Sequence, residues 1–337
     1  MILSIIIPAY NVEKFICKNI ESIICMRNDN IELIIVDDGS TDNTYEICKD
    51  YASKYDFIKV ITEKNGGPGK ARNTGVSVAT GEWIFFVDAD DYIISDGLNR
   101  IIDHLQNPEF NGDTVVFNTL SYFESTGDYS VFTGSFLYNN CQNGSCGSSF
   151  WKEVLRKDVS YGYCAVFYAI KKKLLIDNNI RFFDEGTSND ICFSIQIWNK
   201  AKAVYYFDED VYVYRRDQPN SITHNPNIKW MSWVKNRIIW NLNYINYDVE
   251  DIVFKDYLVL SNFNLYLVIL SCATRVKDDS IYGLLKELED IKDKFCLTNY
   301  RVLKSVSRKI KLTYLFNSFF SPFFFWICWK IYRLFEP

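Results

Sequence analysis

Histidine, proline and glycine are scarce in this chain. Its 337 residues include two His, seven Pro and 15 Gly, against 25 Phe, 23 Tyr and eight Trp. A chain with few helix and strand breakers and no low-complexity tract is expected to be ordered throughout. The ten Cys residues are scattered and form no Cys-x-x-Cys pair. Together with the shortage of His, this argues against a zinc site or a disulfide scaffold.

A basic leader is also missing from the N-terminus. Pro8 interrupts the apolar run there after seven residues, which predicts a β-strand rather than a signal peptide. The expected compartment is therefore the cytoplasm.

Acidic residues are absent between positions 301 and 335, where seven Lys and Arg residues occur. The net charge of the whole chain is −5, so the remainder carries −12. An acidic body argues against nucleic acid as the main partner, because nucleic-acid binding depends on neutralising phosphates.

Apolar runs alternate with helical patterns over the first 90 residues. This alternation predicts an α/β fold with a mostly parallel, Rossmann-like sheet flanked by helices, whose ligand crevice lies at the carboxyl ends of the strands. The predicted strands are 4–8, 32–36, 57–61 and 83–87, and the predicted helices are 13–26, 40–51 and 70–79.

The pattern changes after residue 114. Short strands are predicted at 114–118 and 130–133, a loop at 139–149, a helix at 188–200 and strands within 203–215. Beyond residue 227 the chain reads as helical. We predict a catalytic domain at 1–228, divided into halves at 1–106 and 107–228, and a helical, membrane-proximal region at 229–337.

Three carboxylates, Asp88, Asp90 and Asp91, follow the apolar run that ends at Val87. Carboxylates at the end of a buried strand, beside substrate phosphates, suit a divalent cation such as Mg²⁺ or Mn²⁺. The alternative is a solvated acidic loop that caps the next helix.

Two further loops follow the first and second predicted strands. Tyr10 lies in one and Asp38 in the other. A tyrosine ring can stack on a base and a carboxylate can accept the imide N–H of uracil or thymine, so the two loops together could form a nucleotide pocket. Ordinary turn chemistry is the alternative.

A glycine-rich segment, residues 65–73, precedes the third predicted helix. Gly67 allows close backbone approach, the helix N-terminus favours an anion, and Lys70 and Arg72 add positive charge, which indicates phosphate handling. The segment is not a Walker loop, because Ala71 occupies the position that requires Ser or Thr. It is not a dinucleotide-binding fingerprint either, because Arg72 occupies the position of the last glycine.

In this order, the four segments 5–13, 36–44, 67–75 and 81–91 resemble the family 2 glycosyltransferases of the GT-A fold, of the bacterial surface-polysaccharide type. The resemblance implies sugar transfer from a nucleotide donor with inversion. It implies a nucleotide-sugar site and a metal-binding Asp-x-Asp motif in which Asp90 binds Mn²⁺ or Mg²⁺ most directly and Asp88 assists. The implied nucleotide-sugar contacts are Pro8, Tyr10, Glu13, Asp38, Gly67, Arg72, Asp88 and Ala89.

The family's catalytic base is matched by Asp190, with Asn189 in the preceding acidic position. A carboxylate in a cleft beside a diphosphate can have its pKa raised enough to accept a proton from an acceptor hydroxyl. The alternative is an aspartate that satisfies free amides at a helix N-terminus.

Residues 214–224 resemble the family's Tyr-x-Arg loop. The resemblance suggests His224 as a third metal ligand, although a lone His is more often structural or simply exposed.

Residues 312–329 carry no charge and are rich in aromatic residues, with basic residues on both sides. This pattern favours a segment that lies on an anionic membrane surface, with a core helix packed on 257–270 as the alternative.

We therefore predict that the protein transfers a sugar from a UDP-linked donor to a hydroxyl of a growing glycan carried on a polyprenyl diphosphate. The predicted location is the inner face of the cell membrane, and the predicted process is capsule, O-antigen or exopolysaccharide synthesis. Two alternatives remain. One is a non-catalytic, membrane-tethered scaffold that binds nucleotide sugars, and the other is a sugar nucleotidyltransferase.

Overall fold

The computed structural model describes residues 1–26, 30–158, 164–183, 189–216, 228–273, 281–292 and 294–295. The chain divides into two compact units. The first contains Met1–Phe150 and Cys164–Pro219, and the second contains Trp151–Tyr163 and Asn220–Pro337. The predicted domain boundary near residue 228 stays a prediction.

The described residues contain nine strands and eleven α-helices. The strands are β1 Leu3–Ala9, β2 Ile31–Asp37, β3 Ile58–Thr62, β4 Trp83–Phe86, β5 Tyr92–Ile93, β6 Thr114–Phe123, β7 Asp128–Thr133, β8 Tyr168–Lys171 and β9 Val204–Arg216. The helices are α1 Ile16–Ile24, α2 Thr44–Lys54, α3 Pro68–Val78, α4 Ser95–Leu105, α5 Ser135–Tyr138, α6 Gly147–Lys157, α7 Lys172–Asp177, α8 Asn189–Lys200, α9 Ile228–Asp248, α10 Ile252–Ala273 and α11 Ile281–Lys292.

The first four strands form a parallel sheet in the order β3-β2-β1-β4. Every residue of β2 is buried, which explains the continuous apolar run at this point of the sequence. Strand β1 pairs with β2 on one side and β4 on the other. The connections therefore leave in opposite directions beside β1, and the crevice that this creates opens at the carboxyl ends of β1 and β4.

The remaining strands extend the same sheet with mixed directions. Strand β8 is antiparallel to β4 and β6, β9 runs parallel to β6, and β5 and β7 add antiparallel pairs with β9 and β6. The predicted α/β fold with a Rossmann-like sheet is confirmed, and the parallel part is its N-terminal half. Residues 204–216 form one long strand where the sequence suggested several.

The second unit is helical in its described part. Buried Asn241 on α9 donates a hydrogen bond to Asn262 on α10, at 2.8 Å from Nδ2 to Oδ1, and Lys235 pairs with Glu287 on α11. Helix α10 includes a 19-residue stretch, Ile252–Leu270, that is long and apolar enough to cross a membrane by length and composition, and more than half of this stretch is buried inside the protein. The predicted membrane segment 312–329 lies outside the described residues.

Candidate active site

The turn after β4 places Asp88 and Asp90 at the crevice. Its backbone closes through the Asp91 N–H, which donates to the Asp88 carbonyl at 3.0 Å. The Asp88 side chain is 36% exposed, and Asp90 is partly buried. Ala89 between them is buried. Two carboxylates of the predicted cluster are thus accessible from the crevice.

Asp91 differs from the other two carboxylates because it is buried. Its Oδ1 accepts the Arg215 N–H at 2.8 Å, and its Oδ2 accepts the Tyr212 hydroxyl at 2.5 Å. Burial, followed by the charges of Asp90 and Asp88, raises the pKa of Asp91 well above its usual range. Asp91 is therefore a structural support of the turn.

Arg72, on α3, links the turn to α8. The residue is 4% exposed, and its guanidinium lies 2.6 Å from Asp88 Oδ1 through NH2 and 3.3 Å from Asp190 Oδ1 through NH1. The Phe182 ring centroid is 5.2 Å from Cζ. Burial alone would lower the pKa of Arg72, but the charges of Asp190 and Asp88 outweigh it and raise that pKa. A permanent positive charge therefore lies between two carboxylates.

Asp190 occupies the first turn of α8, as the sequence predicted. Its side chain is 29% exposed, and it accepts a hydrogen bond from the backbone of Ala165. Burial raises the pKa of Asp190, Arg72 opposes this rise, and the charge of Asp88 adds to it. The net shift is upward, which is the direction that a general base requires.

Asp38 fastens the glycine-rich loop to the end of β2. Its buried carboxylate accepts the Gly66 N–H at 2.8 Å and the Gly67 N–H at 2.7 Å. Gly67 has φ +90°, a conformation that favours glycine, immediately before Pro68 starts α3. The turn role considered from the sequence is present, and contact with a nucleoside stays a prediction.

The loop after β1 carries the other predicted nucleoside contacts. Pro8 lies within β1, opposite Val36, and Tyr10 is 47% exposed. The Glu13 carboxylate accepts the Asn43 backbone N–H at 3.0 Å and its side-chain amide at 2.9 Å. Glu13 therefore joins this loop to the start of α2, and Tyr10 offers an accessible ring.

The candidate metal ligands at the crevice fit a divalent cation in part. Among the described residues there is no group of three His, Cys, Asp or Glu side chains that could hold a metal ion. Asp88 and Asp90 supply two carboxylates, and Mg²⁺ is commonly bound by one or two carboxylates with substrate phosphates completing its shell. His224, the predicted third ligand, lies outside the described residues, as does the side chain of Asn189.

Sequence reasoning missed two buried residues that contact the carboxylate turn, Asn19 and Tyr212. Asn19 has a signal in the sequence, since this amide interrupts the apolar face that Ile16, Ile20 and Ile23 form on α1. A polar side chain on a buried helix face requires partners. Tyr212 carries no such signal, because tyrosine is common in strands.

Similarity to solved structures identifies the class of fold. The chain matches the crystal structure of S. aureus TarS 1-349 in complex with UDP-GlcNAc with a TM-score of 0.74 and 22% identity, over 99% of this chain and 92% of that chain. The structure of TarS 1-349 in complex with UDP matches with a TM-score of 0.72. The fold is the GT-A glycosyltransferase fold, as predicted.

Sequence comparison gives the family. Residues 4–157 match the model of glycosyl transferase family 2, and this part of the chain belongs to that family. The glycosyltransferase GlyG of Streptococcus pneumoniae is 29% identical over 68% of this chain and 75% of its own length. EpsJ of Bacillus subtilis, an uncharacterized glycosyltransferase, is 31% identical over 67% of this chain and 64% of its own length. A poly(ribitol-phosphate) beta-glucosyltransferase of Bacillus spizizenii is 44% identical over 30% of this chain and 16% of its own length.

Proposed function

We propose that this protein transfers a sugar from a UDP-linked donor to a hydroxyl of a growing surface glycan, with inversion at the anomeric carbon. The main support for the proposal is the position of buried Arg72, which lies between Asp88, on the turn after β4, and Asp190, the candidate base. Family membership supports the reaction class, since the relatives are glycosyltransferases.

The proposed donor site lies at the carboxyl ends of β1, β2 and β4. Tyr10 would stack on the base, while Pro8, Glu13 and Asp38 would line the nucleoside pocket. Gly67, immediately before α3, would let the backbone approach the diphosphate closely, and the Arg72 guanidinium on α3 would bind it, since a guanidinium binds anions. The complexes of TarS with UDP-GlcNAc and with UDP favour a uridine nucleotide here.

Asp88 and Asp90 are the proposed ligands of Mg²⁺ or Mn²⁺, with Ala89 in the same turn against the donor and His224 as a candidate third ligand. When bound, the ion would neutralise negative charge on the departing diphosphate. Arg72 would add a second fixed positive charge there without having to move far, because Asp88 and Asp190 already hold it at the crevice.

Asp190 is the proposed base. Its carboxylate would take the proton of the acceptor hydroxyl as the oxygen attacks the anomeric carbon and the bond from that carbon to the diphosphate breaks. Attack opposite the leaving group inverts the configuration, and no covalent sugar–enzyme intermediate forms. The raised pKa of Asp190 would make it a stronger base than an exposed aspartate.

The proposed acceptor is a glycan on polyprenyl diphosphate at the inner face of the cell membrane. Relatives of the chain include the minor teichoic acid biosynthesis protein GgaA of Bacillus subtilis, 28% identical over 78% of this chain, which favours a cell-surface polymer. The basic and aromatic residues of 301–335 would bind anionic lipid there.

The test is release of nucleoside diphosphate from UDP-, dTDP- and GDP-sugars, with Mn²⁺ or Mg²⁺ and with EDTA, in the presence of membrane extract as acceptor source. We expect one UDP-sugar to be consumed, with release lost in EDTA and in Asp90→Ala. Asp96→Ala is the matched control, because Asp96 is an exposed aspartate on the neighbouring helix α4. Tight, metal-dependent donor binding without turnover under all conditions would favour the scaffold alternative instead.

A further inference from the structure

Asn19 holds both ends of the carboxylate turn. Its Nδ2 donates to the Asp88 carbonyl and to the Asp91 carbonyl, each at 2.9 Å. An amide nitrogen has two hydrogens, so both are used on this turn. Asn19 is fully buried on α1, where no water competes for these bonds. The helix therefore fixes the distance between the first and last residues of the turn.

Tyr212 holds the same two residues from β9. Its hydroxyl donates to Asp91 Oδ2 at 2.5 Å and accepts the Asp88 N–H at 3.2 Å. The ring is fully buried and packs edge-on against Phe85, with centroids 6.4 Å apart. The hydroxyl thus cannot move away from the turn without disturbing the core.

We propose that Asn19 and Tyr212 are positioning residues, which set the geometry in which Asp88 and Asp90 meet the metal–diphosphate. The inference rests on the proposed function. Asp88 is bonded on its N–H and on its carbonyl, and Asp91 on its carbonyl and carboxylate, so Asp90 is confined between two fixed residues. A carboxylate site works only when its oxygens are already placed, because reordering them on binding costs affinity.

The same contacts extend to the end of β9. Asp91 Oδ1 accepts the Arg215 N–H at 2.8 Å, and the Arg215 guanidinium lies 5.0 Å from the Phe15 ring centroid, just before α1. Asn19 and Tyr212 therefore act on one assembly in which α1, the turn and the last residues of β9 are connected. Loss of either donor should loosen the turn relative to both elements.

A purely structural role would also require partners for buried polar groups, so the test must separate stability from site geometry. The main variant is Tyr212→Phe, which removes only the hydroxyl, and the second is Asn19→Leu. Tyr206→Phe is the matched control, because Tyr206 lies on the same strand and its hydroxyl bonds Asn118 and Asp208, remote from the turn.

Three quantities are measured on the full chain: binding of Mn²⁺ in the presence of UDP, followed by the electron paramagnetic resonance signal of free Mn²⁺; kcat and KM for the donor; and the unfolding midpoint. We expect Tyr212→Phe and Asn19→Leu to weaken Mn²⁺ binding about tenfold or more and to lower kcat/KM by a similar factor. Tyr206→Phe, which also removes one hydroxyl from β9, should leave both unchanged. Should Asn19→Leu fail to fold, Tyr212→Phe decides the question.

Mn²⁺ binding by Tyr212→Phe within twofold of the unsubstituted protein, with a lowered unfolding midpoint, would overturn the inference and leave a structural role. In that case the unsubstituted protein still binds Mn²⁺ with UDP, and the proposed function is unaffected. Absence of Mn²⁺ binding and of turnover in the unsubstituted protein would instead refute the proposed function, and the inference with it.

Discussion

At the scale of single residues, one guanidinium forms ion pairs with two carboxylates. Arg72 is almost fully buried and contacts Asp88 and Asp190 from the same side chain. A buried charge is tolerated only when it is paired, so removing either carboxylate leaves Arg72 less well compensated. Its Nε has no hydrogen-bond partner among the residues that the structure describes. This guanidinium is thus held in place by the groups that the proposed reaction uses.

The raised pKa of Asp190 predicts the acid side of the pH profile. A base must be ionised, so kcat/KM should fall as the pH drops through the pKa of Asp190 in the free enzyme. An exposed aspartate has a pKa of about 3.9. Burial raises the pKa of Asp190 above its ordinary value, despite Arg72, so kcat/KM should begin to fall at a higher pH than it would with an exposed aspartate as the base. Initial rates at subsaturating donor across the pH range would measure it.

A control for this profile is circular dichroism at each pH, which separates titration from acid unfolding. A value of kcat/KM that stays flat to pH 4, while the fold persists, would contradict the assignment of Asp190 as a base with a raised pKa.

The positions of site residues were predictable where the sequence signal is local, whereas their roles stay predictions. The positions of Asp88 and Asp90 after β4 follow from the apolar run before them, and Asp190 follows from the family resemblance. The partners of Asp38 could not be predicted, because the Gly66 and Gly67 amides reach it only once β2 and β3 are paired. The burial of Asp91 could not be predicted for the same reason, since its partner Tyr212 lies 121 residues away in the sequence.

At the scale of elements, Glu32 ties together three strands and the turn before β4. Its buried carboxylate accepts the Ser4 hydroxyl at 2.6 Å and the Thr80 hydroxyl at 2.7 Å, and pairs with Lys59 at 2.7 Å. Burial alone would raise the pKa of Glu32, but Lys59, Ser4 and Thr80 lower it to about 2.

Glu32→Gln should therefore destabilise the protein. The folded pKa of about 2 lies below the ordinary value of 4.5, so the contribution of the carboxylate is present above pH 4.5 and is lost as the pH falls toward 2. We expect a loss of roughly 2–3 kcal/mol in the free energy of unfolding at pH 7, measured by urea denaturation. Exposed Glu46→Gln on α2 is the control, and equal stability of the two variants would refute the role of Glu32.

Helix α4 packs so closely on β9 that it admits no side chain at Gly97. A Cβ at this position would lie 1.9 Å from the Asp210 carbonyl oxygen. Gly97→Ala should lower the free energy of unfolding by about 1–3 kcal/mol, because backbone must shift to relieve the clash.

The control for Gly97→Ala is Gly283→Ala, also in a helix, where a Cβ would meet no atom within 4 Å. That change should be neutral or stabilising, since Ala favours helix over Gly. Denaturation of both variants gives the comparison, and a stabilised Gly97→Ala would show that the contact between α4 and β9 is looser than described.

Elements in the first 90 residues were predicted well because their apolar runs are continuous and their breaks are marked. The strand predicted at 83–87 is β4 Trp83–Phe86, and the helix predicted at 70–79 is α3 Pro68–Val78. Beyond residue 90, the two-residue strand β5 and the four-residue strand β8 were missed. Such short strands have no periodicity of their own and exist only because longer strands pair with them.

At the scale of the whole molecule, one sheet carries both proposed halves of the reaction. Its parallel part presents the turn of Asp88 and the loops of Tyr10 and Asp38, while Asp190 lies on α8, which connects β8 to β9 in the chain. The α/β class was predictable from the alternation of apolar runs and helical patterns, and the family resemblance from four ordered segments. The residues that bind the acceptor could not be predicted, because elements such as α5, β8 and α7 are short and their arrangement depends on tertiary pairing.

Asp190 is proposed to take the acceptor proton at a site that still binds the donor when the charge of Asp190 is removed. Sugar transfer and donor binding are compared in the unsubstituted protein, Asp190→Asn and exposed Asp177→Asn, with the UDP-sugar found in the donor screen. We expect Asp190→Asn to bind the donor within a few-fold of the unsubstituted protein but to lose turnover by at least about a hundredfold, while Asp177→Asn keeps both. Turnover retained by Asp190→Asn would refute the assignment of Asp190 as the base.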